Sequence, residues 1–170
     1  MTTDNDLLKL AVRVGHSLLS ARCRLVTAES CTAGWIAKAL TDVPGSSQWF
    51  DCGYVTYSDE SKRRDLEVSA QTLETHGSVS EATVREMAKG ALRRSGAQVA
   101  VAVSGIAGPN GAVTGKPVGT VWFCVATRRG QAVDATSRVK FFKGDRETVR
   151  RKAVEQGLKL VLALELPGAE

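Results

Sequence analysis

Hydrophobic residues recur along this chain at helical spacing in some segments and crowd together in others. The spacing over 5–21 and over 32–42 predicts two amphipathic helices. The polar segment 59–68 predicts a short helix or a turn. A long final helix is expected after Asp145, whose side chain is placed to cap its first turn.

The clearest helical pattern covers residues 77–96. Ser78 and Glu81 have the spacing of a capping box at its start, and Gly96 supplies an end signal. One face of this predicted helix is apolar and consists of Val84, Met87, Ala88, Ala91 and Leu92.

Strand-like segments lie between these helices. The run over 97–105, "AQVAVAVSG", is almost entirely apolar, as expected for a strand buried on both faces. Further strands are predicted in the segments "RLVTAE", "QWFDCGYVTYS", "TVWFCVATRRG" and "VDATSRVKFF", the last two forming a hairpin around Gly130. The alternation predicts one domain over 1–170 with a three-layer α/β/α fold and a mixed, mostly parallel sheet.

Charge and composition exclude several classes of function. The net charge of +5 is spread over scattered basic residues without interleaved aromatics, so nucleic-acid binding is not expected, while a small anionic substrate is compatible. No apolar run is long enough to span a membrane, so no membrane partner is expected. The first residues lack the pattern of a signal peptide, which predicts a cytoplasmic protein.

The cysteines and histidines do not form a metal-binding pattern. None of the four cysteines has CxxC spacing, and the two histidines, His16 and His76, are far apart. We therefore expect neither a metal nor another cofactor, and a triad built on histidine has little support.

The segment "AESCTAG", residues 28–34, leads from a predicted strand into a predicted helix. Backbone N–H groups at a helix start can bind phosphate or stabilise an oxyanion, and Ser30 is placed to act as a nucleophile beside them. The other reading is that Ser30 or Thr32 only caps the helix.

A second loop, "SGIAGP", follows the buried strand and offers glycines for close backbone approach. If the two preceding strands are parallel, Ser30 and Ser104-Gly105 meet at one edge of the sheet. Lys62 is a candidate base just beyond a strand end, but only if burial or nearby positive charge lowers its pKa; otherwise it is a solvated surface lysine.

Several motifs occur together and in order: "TAESCTAGWIAKALTDVPGSS", "GYVTYSDESK", "HGSVSEATVREMAKGA", "VAVSGIAGPNG", "KPVGTVWF" and "GDRETVRRKA". In these motifs the chain resembles the CinA C-terminal domain family in its stand-alone form, which contains nicotinamide-nucleotide amidases. The resemblance implies hydrolysis of the carboxamide of nicotinamide mononucleotide to nicotinate mononucleotide and ammonia, in pyridine-nucleotide salvage. It also favours a homo-oligomer, with a dimer as the preferred state.

Carried onto this sequence, the resemblance implies Ser30 as nucleophile, Lys62 as its base and Tyr57 as an assisting hydroxyl. Amides around Cys31 to Gly34 would hold the oxyanion. The residues expected to bind substrate are Glu29, Cys31, Thr32, Gly34, Ser104, Gly105, Gly108 and Arg146, the last as a candidate for the 5′-phosphate.

One residue departs from the family pattern, because Ala33 stands where a glycine is common. We expect Ala33 to lie inside the helix, where alanine is harmless. Two rival hypotheses remain at this stage: Cys31 as the nucleophile, since a helix N-terminus lowers a thiol pKa, and a non-catalytic nucleotide-binding or regulatory module. A metal-dependent hydrolase is a more distant third.

Overall fold

The computed structural model describes residues 2–167. Their helices are α1 Asp4–Ser20, α2 Trp35–Thr41, α3 Asp59–Leu66, α4 Ala70–His76, α5 Glu81–Arg94 and α6 Arg146–Leu162, with a short 3-10 helix at Ser46–Gln48. Their strands are β1 Leu25–Glu29, β2 Phe50–Val55, β3 Val99–Gly105, β4 Thr120–Arg129 and β5 Ala132–Phe141.

The strands form one five-stranded sheet in the order β2-β1-β3-β4-β5. β1 pairs in parallel with both neighbours, whereas β3 with β4 and β4 with β5 are antiparallel. Four strands therefore share one direction and only β4 runs against them, which confirms the expected mixed, mostly parallel sheet. The loops after β1 and β3 leave the same edge, where the Ser30 N–H donates to the Val103 carbonyl at 3.0 Å.

Helices cover both faces of the sheet. Alternate side chains of β1 and β3 point to opposite faces, because successive strand residues do so. On one face Leu25 and Val101 pack with α1, α2 and α6; on the other, Val26 and Ala100 pack with α3, α4 and α5. The three-layer prediction is thus confirmed, and each face has its own apolar core.

Two local predictions were wrong, and one helix was missed. The helix α2 begins only at Trp35, because residues 31–34 form a turn. The helix α4 was not predicted, because Leu73 is its only buried residue and leaves no apolar period. The helix α5 is capped by Ser80, which accepts from the Thr83 N–H, so the capping box of Ser78 and Glu81 does not form.

The helix α3 packs tightly against α5 and is held in place by a glycine. A Cβ at Gly90 would lie 1.8 Å from the Leu66 carbonyl oxygen, so only glycine allows the two backbones to come this close. Leu66 itself is fully buried and lies one turn after Lys62. This contact fixes the depth at which α3 presents Lys62 to the sheet edge.

Within residues 2–167, no helix is both long enough and apolar enough to cross a membrane.

Candidate active site

Ser30 and Lys62 meet at the edge of the sheet where β1 ends. The Lys62 Nζ lies 3.1 Å from the Ser30 Oγ, although 32 positions separate the two residues. Both are enclosed, with Ser30 8% and Lys62 1% exposed. Ser30 directly follows the last residue of β1. Lys62 comes from α3, which belongs to the layer of helices that also contains α4 and α5.

Two backbone carbonyls orient the Lys62 amine. Its Nζ donates to the Thr56 oxygen at 2.9 Å and lies 3.4 Å from the Tyr57 oxygen. A carbonyl only accepts, so a neutral amine that donates both hydrogens to these oxygens directs its lone pair at the Ser30 hydroxyl. The geometry suits a base that takes the serine proton.

The environment of Lys62 favours the neutral amine. Burial lowers the pKa of Lys62 below its ordinary value, while the negative charge of Asp59 acts in the opposite direction, as does nearby Cys31. The net effect is a lowered pKa. The condition that the sequence left open for Lys62, a pKa lowered by burial, is therefore met.

Glu29 stabilises the turn after β1 through hydrogen bonds. Its fully buried carboxylate accepts from the N–H groups of Ile36 at 3.0 Å and Ala37 at 2.8 Å, and from the Thr32 hydroxyl at 2.7 Å. The cap residue Gly34 has no side chain to serve this purpose, so a carboxylate at the end of β1 replaces it. Glu29 and the Thr32 side chain thus hold the loop and helix α2 together.

Ala33 does not lie inside the helix, so that prediction was wrong. Its φ of 51° places it in the left-handed region, directly before Gly34 with a φ of 87°. The Trp35 N–H donates to the Thr32 carbonyl at 3.2 Å, which closes a tight turn with Ala33 and Gly34 at its two central positions, where a type I′ turn requires a positive φ. Its methyl group is exposed, so alanine meets no crowding from other residues and bears only the local cost of a backbone position that favours glycine.

Replacing Ala33 by glycine is expected to raise the free energy of unfolding by up to about 1 kcal/mol, because glycine adopts this φ without a Cβ penalty. The greater freedom of glycine in the unfolded chain offsets part of the gain. Urea unfolding measures the difference. As a control, Ala37→Gly inside α2 should lower the free energy of unfolding, because glycine is a poor helix former. A lower free energy of unfolding in Ala33→Gly as well would contradict the prediction.

Cys31 is a poor nucleophile in this setting. Its side chain is buried, and burial raises the pKa of the thiol to about 12. A thiol with this pKa holds its proton at neutral pH, and the thiolate is the nucleophilic form. The position of Lys62 against the Ser30 Oγ also favours the serine.

The turn leaves backbone N–H groups free to bind an oxyanion. Within residues 2–167, the amides of Cys31, Thr32 and Gly34 make no hydrogen bond, whereas those of Ser30 and Ala33 are used inside the protein. Three donors that are unpaired within the described residues therefore lie between Ser30 and the start of α2. When the Ser30 Oγ attacks a carbonyl carbon, these amides are candidate donors to the oxyanion that forms on the carbonyl oxygen.

Tyr57 and Arg146 bind each other near Lys62, whose Nζ lies 3.4 Å from the Tyr57 carbonyl oxygen. The Arg146 Nη2 donates to the Tyr57 hydroxyl at 2.8 Å, and its Nη1 donates to the Gly108 carbonyl at 2.9 Å. Tyr57 is 59% exposed, and within the described residues its hydroxyl bonds to neither Ser30 nor Lys62. The geometry supports direct transfer from serine to lysine and sets Tyr57 beside the arginine.

The other predicted glycine-loop residues are packed rather than open. The Ser104 hydroxyl donates to the Ser78 carbonyl at 2.7 Å. A Cβ at Gly105 would collide with Val121 at 2.7 Å, and one at Gly108 would collide with Val118 at 2.6 Å. These residues bring the loop close to β4, and the Gly108 carbonyl then receives Arg146.

Two contributors were missed at the sequence level. Asp59 influences the Lys62 pKa and accepts a hydrogen bond from the Ser78 hydroxyl. Arg150 donates to the carbonyls of Cys31 and Thr32 from the distant helix α6. Asp59 carried only a helix-start signal, and nothing in the spacing distinguishes Arg150 from the other basic residues of its helix. Among residues 2–167, no three metal-ligating side chains come together.

Comparisons with known proteins identify the relatives of this chain. The family model of the CinA C-terminal domain matches residues 7–164. The chain is 50% identical over 157 residues to the nicotinamide-nucleotide amidohydrolase PncC of Escherichia coli (strain K12), covering 92% of this chain and 93% of that protein. It is 48% identical over 155 residues to PncC of Pseudomonas putida, covering 91% and 94%.

A solved structure has the same fold. The crystal structure of the competence damage-inducible protein A (ComA) from Klebsiella pneumoniae subsp. pneumoniae MGH 78578 matches with a TM-score of 0.86 at 45% identity, covering 92% of this chain and 94% of that one. The residues matched by the family model include both Ser30 and Lys62. The chain belongs to the CinA C-terminal domain family.

Proposed function

We propose that this protein is an amidohydrolase that converts nicotinamide mononucleotide to nicotinate mononucleotide and ammonia. The observation that carries the proposal is the buried contact of 3.1 Å between the Lys62 Nζ and the Ser30 Oγ. A buried serine next to a lysine of lowered pKa is the arrangement required for acyl transfer without histidine. The names of the relatives supply the substrate class.

The reaction begins with neutral Lys62 taking the Ser30 proton. The Ser30 oxygen then attacks the carboxamide carbon, and the free amides of the turn stabilise the resulting oxyanion. As the tetrahedral intermediate collapses, the C–N bond breaks and Lys62 returns the proton to the leaving nitrogen, which departs as ammonia. Water, deprotonated by Lys62, hydrolyses the ester and regenerates Ser30.

The proposal extends to the setting of the reaction. We infer a step of pyridine-nucleotide salvage in the cytoplasm, carried out by a homo-oligomer, with a dimer favoured, and without a cofactor. The net charge of +5 and the guanidinium of Arg146 beside Tyr57 suit a substrate that carries a phosphate.

Ammonia release from nicotinamide mononucleotide by the purified chain tests the function. Release with formation of nicotinate mononucleotide supports it. Tight binding of the nucleotide without any ammonia would favour the non-catalytic module instead. Activity that persists after thorough chelation would exclude a metal-dependent hydrolase.

Replacing Arg146 by alanine is expected to raise KM for nicotinamide mononucleotide about 10- to 100-fold, because a charge-assisted contact to phosphate is lost. Turnover at saturation should change less, since Arg146 contacts Gly108 and Tyr57 rather than Ser30. The matched substrate is nicotinamide riboside, which lacks the phosphate. Wild type and variant should have similar KM for the riboside; an equal loss on both substrates would contradict a phosphate contact.

A further inference from the structure

The Arg150 guanidinium donates two hydrogen bonds to the turn that follows the proposed nucleophile, Ser30. From helix α6, its Nε donates to the Cys31 carbonyl at 3.0 Å and its Nη2 donates to the Thr32 carbonyl at 3.1 Å. These residues lie 119 and 118 positions away in the sequence. One rigid, permanently charged group therefore holds two consecutive carbonyls.

Holding a carbonyl also sets the direction of the amide beside it. In a planar trans peptide the C=O and the N–H point in opposite directions. With the Cys31 carbonyl held against α6, the N–H of the same peptide, which belongs to Thr32, points away from α6. That N–H has no hydrogen-bond partner within residues 2–167.

The Arg150 side chain is itself held in place. Its guanidinium lies 5.4 Å from the centre of the Trp35 ring, in the first turn of α2. The Glu29 carboxylate binds the same turn by accepting from the Thr32 hydroxyl and from N–H groups in the first turn of α2. The Glu29 carboxylate thus accepts hydrogen bonds from donors of this segment, and the Arg150 guanidinium donates to its carbonyl oxygens.

We propose that Arg150 is a positioning residue for the reaction: by holding the Cys31 and Thr32 carbonyls it keeps the Thr32 amide turned away from α6 as a donor to the oxyanion. This inference rests on the proposed amidase function. Without Arg150 the Cys31–Thr32 peptide is free to rotate and present its carbonyl, which would repel an oxyanion. The effect of Arg150 therefore belongs to the transition state more than to substrate binding.

Steady-state kinetics of three variants test the proposal, with nicotinamide mononucleotide as substrate. Arg150→Ala should lower kcat about 100-fold, the cost of one oxyanion donor, and change KM by much less. Arg150→Lys should fall between this variant and wild type, since an ammonium keeps the charge but lacks the fork that holds two carbonyls. The control is Arg151→Ala, because Arg151 lies 4.9 Å from the same Trp35 ring but pairs with Asp4 and Glu147.

Chemical rescue separates positioning from loss of folding. Added methylguanidinium should restore part of the kcat of Arg150→Ala and leave wild type and Arg151→Ala unchanged, with thermal unfolding measured for each protein. Wild-type kcat in Arg150→Ala, a loss confined to KM, or equal losses in Arg151→Ala would each overturn the proposal, as would a folded Arg150→Ala that is not rescued. Wild type without ammonia release would instead overturn the proposed function.

Discussion

Ammonia release is expected to fall about 10⁵- to 10⁶-fold when Ser30 is replaced by alanine, because the acyl-enzyme can no longer form. The Lys62 amine and the turn amides remain in the variant, so the residual rate reports what they contribute without a nucleophile. KM should change little, since the Ser30 side chain is small and lies at the buried end of the site. Measurement of kcat and KM for the wild type and the variant checks the prediction.

The matched control is Cys31→Ala, at the neighbouring position. The Cys31 thiol, with its pKa raised to about 12, is not expected to react, so this variant should keep activity within about tenfold of wild type. Acid-quenched wild-type enzyme should also carry the acyl group on the Ser30 peptide in mass spectrometry. An inactive but folded Cys31→Ala together with an active Ser30→Ala would reverse the assignment.

Replacing Lys62 by methionine is expected to lower kcat about 10³- to 10⁴-fold, because the general base is removed while most of the unbranched side chain is kept. The Ser30 hydroxyl then has no lysine to take its proton. The comparison is Lys38→Met, which removes an exposed lysine paired with Asp42 on α2 and should leave kcat unchanged. Activity near wild type in Lys62→Met would exclude the lysine as base.

The pH dependence of the wild type gives a second test of Lys62. Only the neutral amine accepts the proton, so kcat/KM should rise with pH as Lys62 deprotonates. Because burial lowers the pKa of Lys62 from 10.5, the midpoint of this rise should lie below 10.5. A rise centred at the ordinary lysine value would contradict a base held in a buried site.

The same pKa shift predicts a change of stability with pH. Between the lowered pKa of folded Lys62 and its ordinary value, the unfolded chain holds a proton that the folded chain has lost, so the free energy of unfolding rises with pH. Buried Cys31 and Cys124 act in the opposite direction, because their pKa values are raised. The cysteine contributions are the same in wild type and Lys62→Met, so they cancel when the variant's free energy of unfolding is subtracted from that of the wild type. This difference should become more positive as pH rises through that window.

Much of the fold could be predicted because local pattern and tertiary packing agree. The apolar run of β3 is buried on both faces, and the apolar face of α5 contains Val84 and Met87, both fully buried. Parallel strands place the loops after β1 and β3 at one edge, so the neighbourhood of Ser30 and Ser104 also followed from sequence. The short helix α4 was not predicted, because its single buried residue, Leu73, gives no helical repeat of apolar positions.

The amino-acid sequence by itself determined the alternation of helices and strands, the junction after β1 that contains Ser30 and, through its motifs, the resemblance to a family. Each of these depends on residues that are close in the chain. Only the tertiary structure decided that Lys62 is buried against Ser30, that Ala33 has a positive φ, and that Arg150 holds the turn. Burial, pKa and peptide orientation depend on contacts between distant segments, and local spacing carries no record of those contacts.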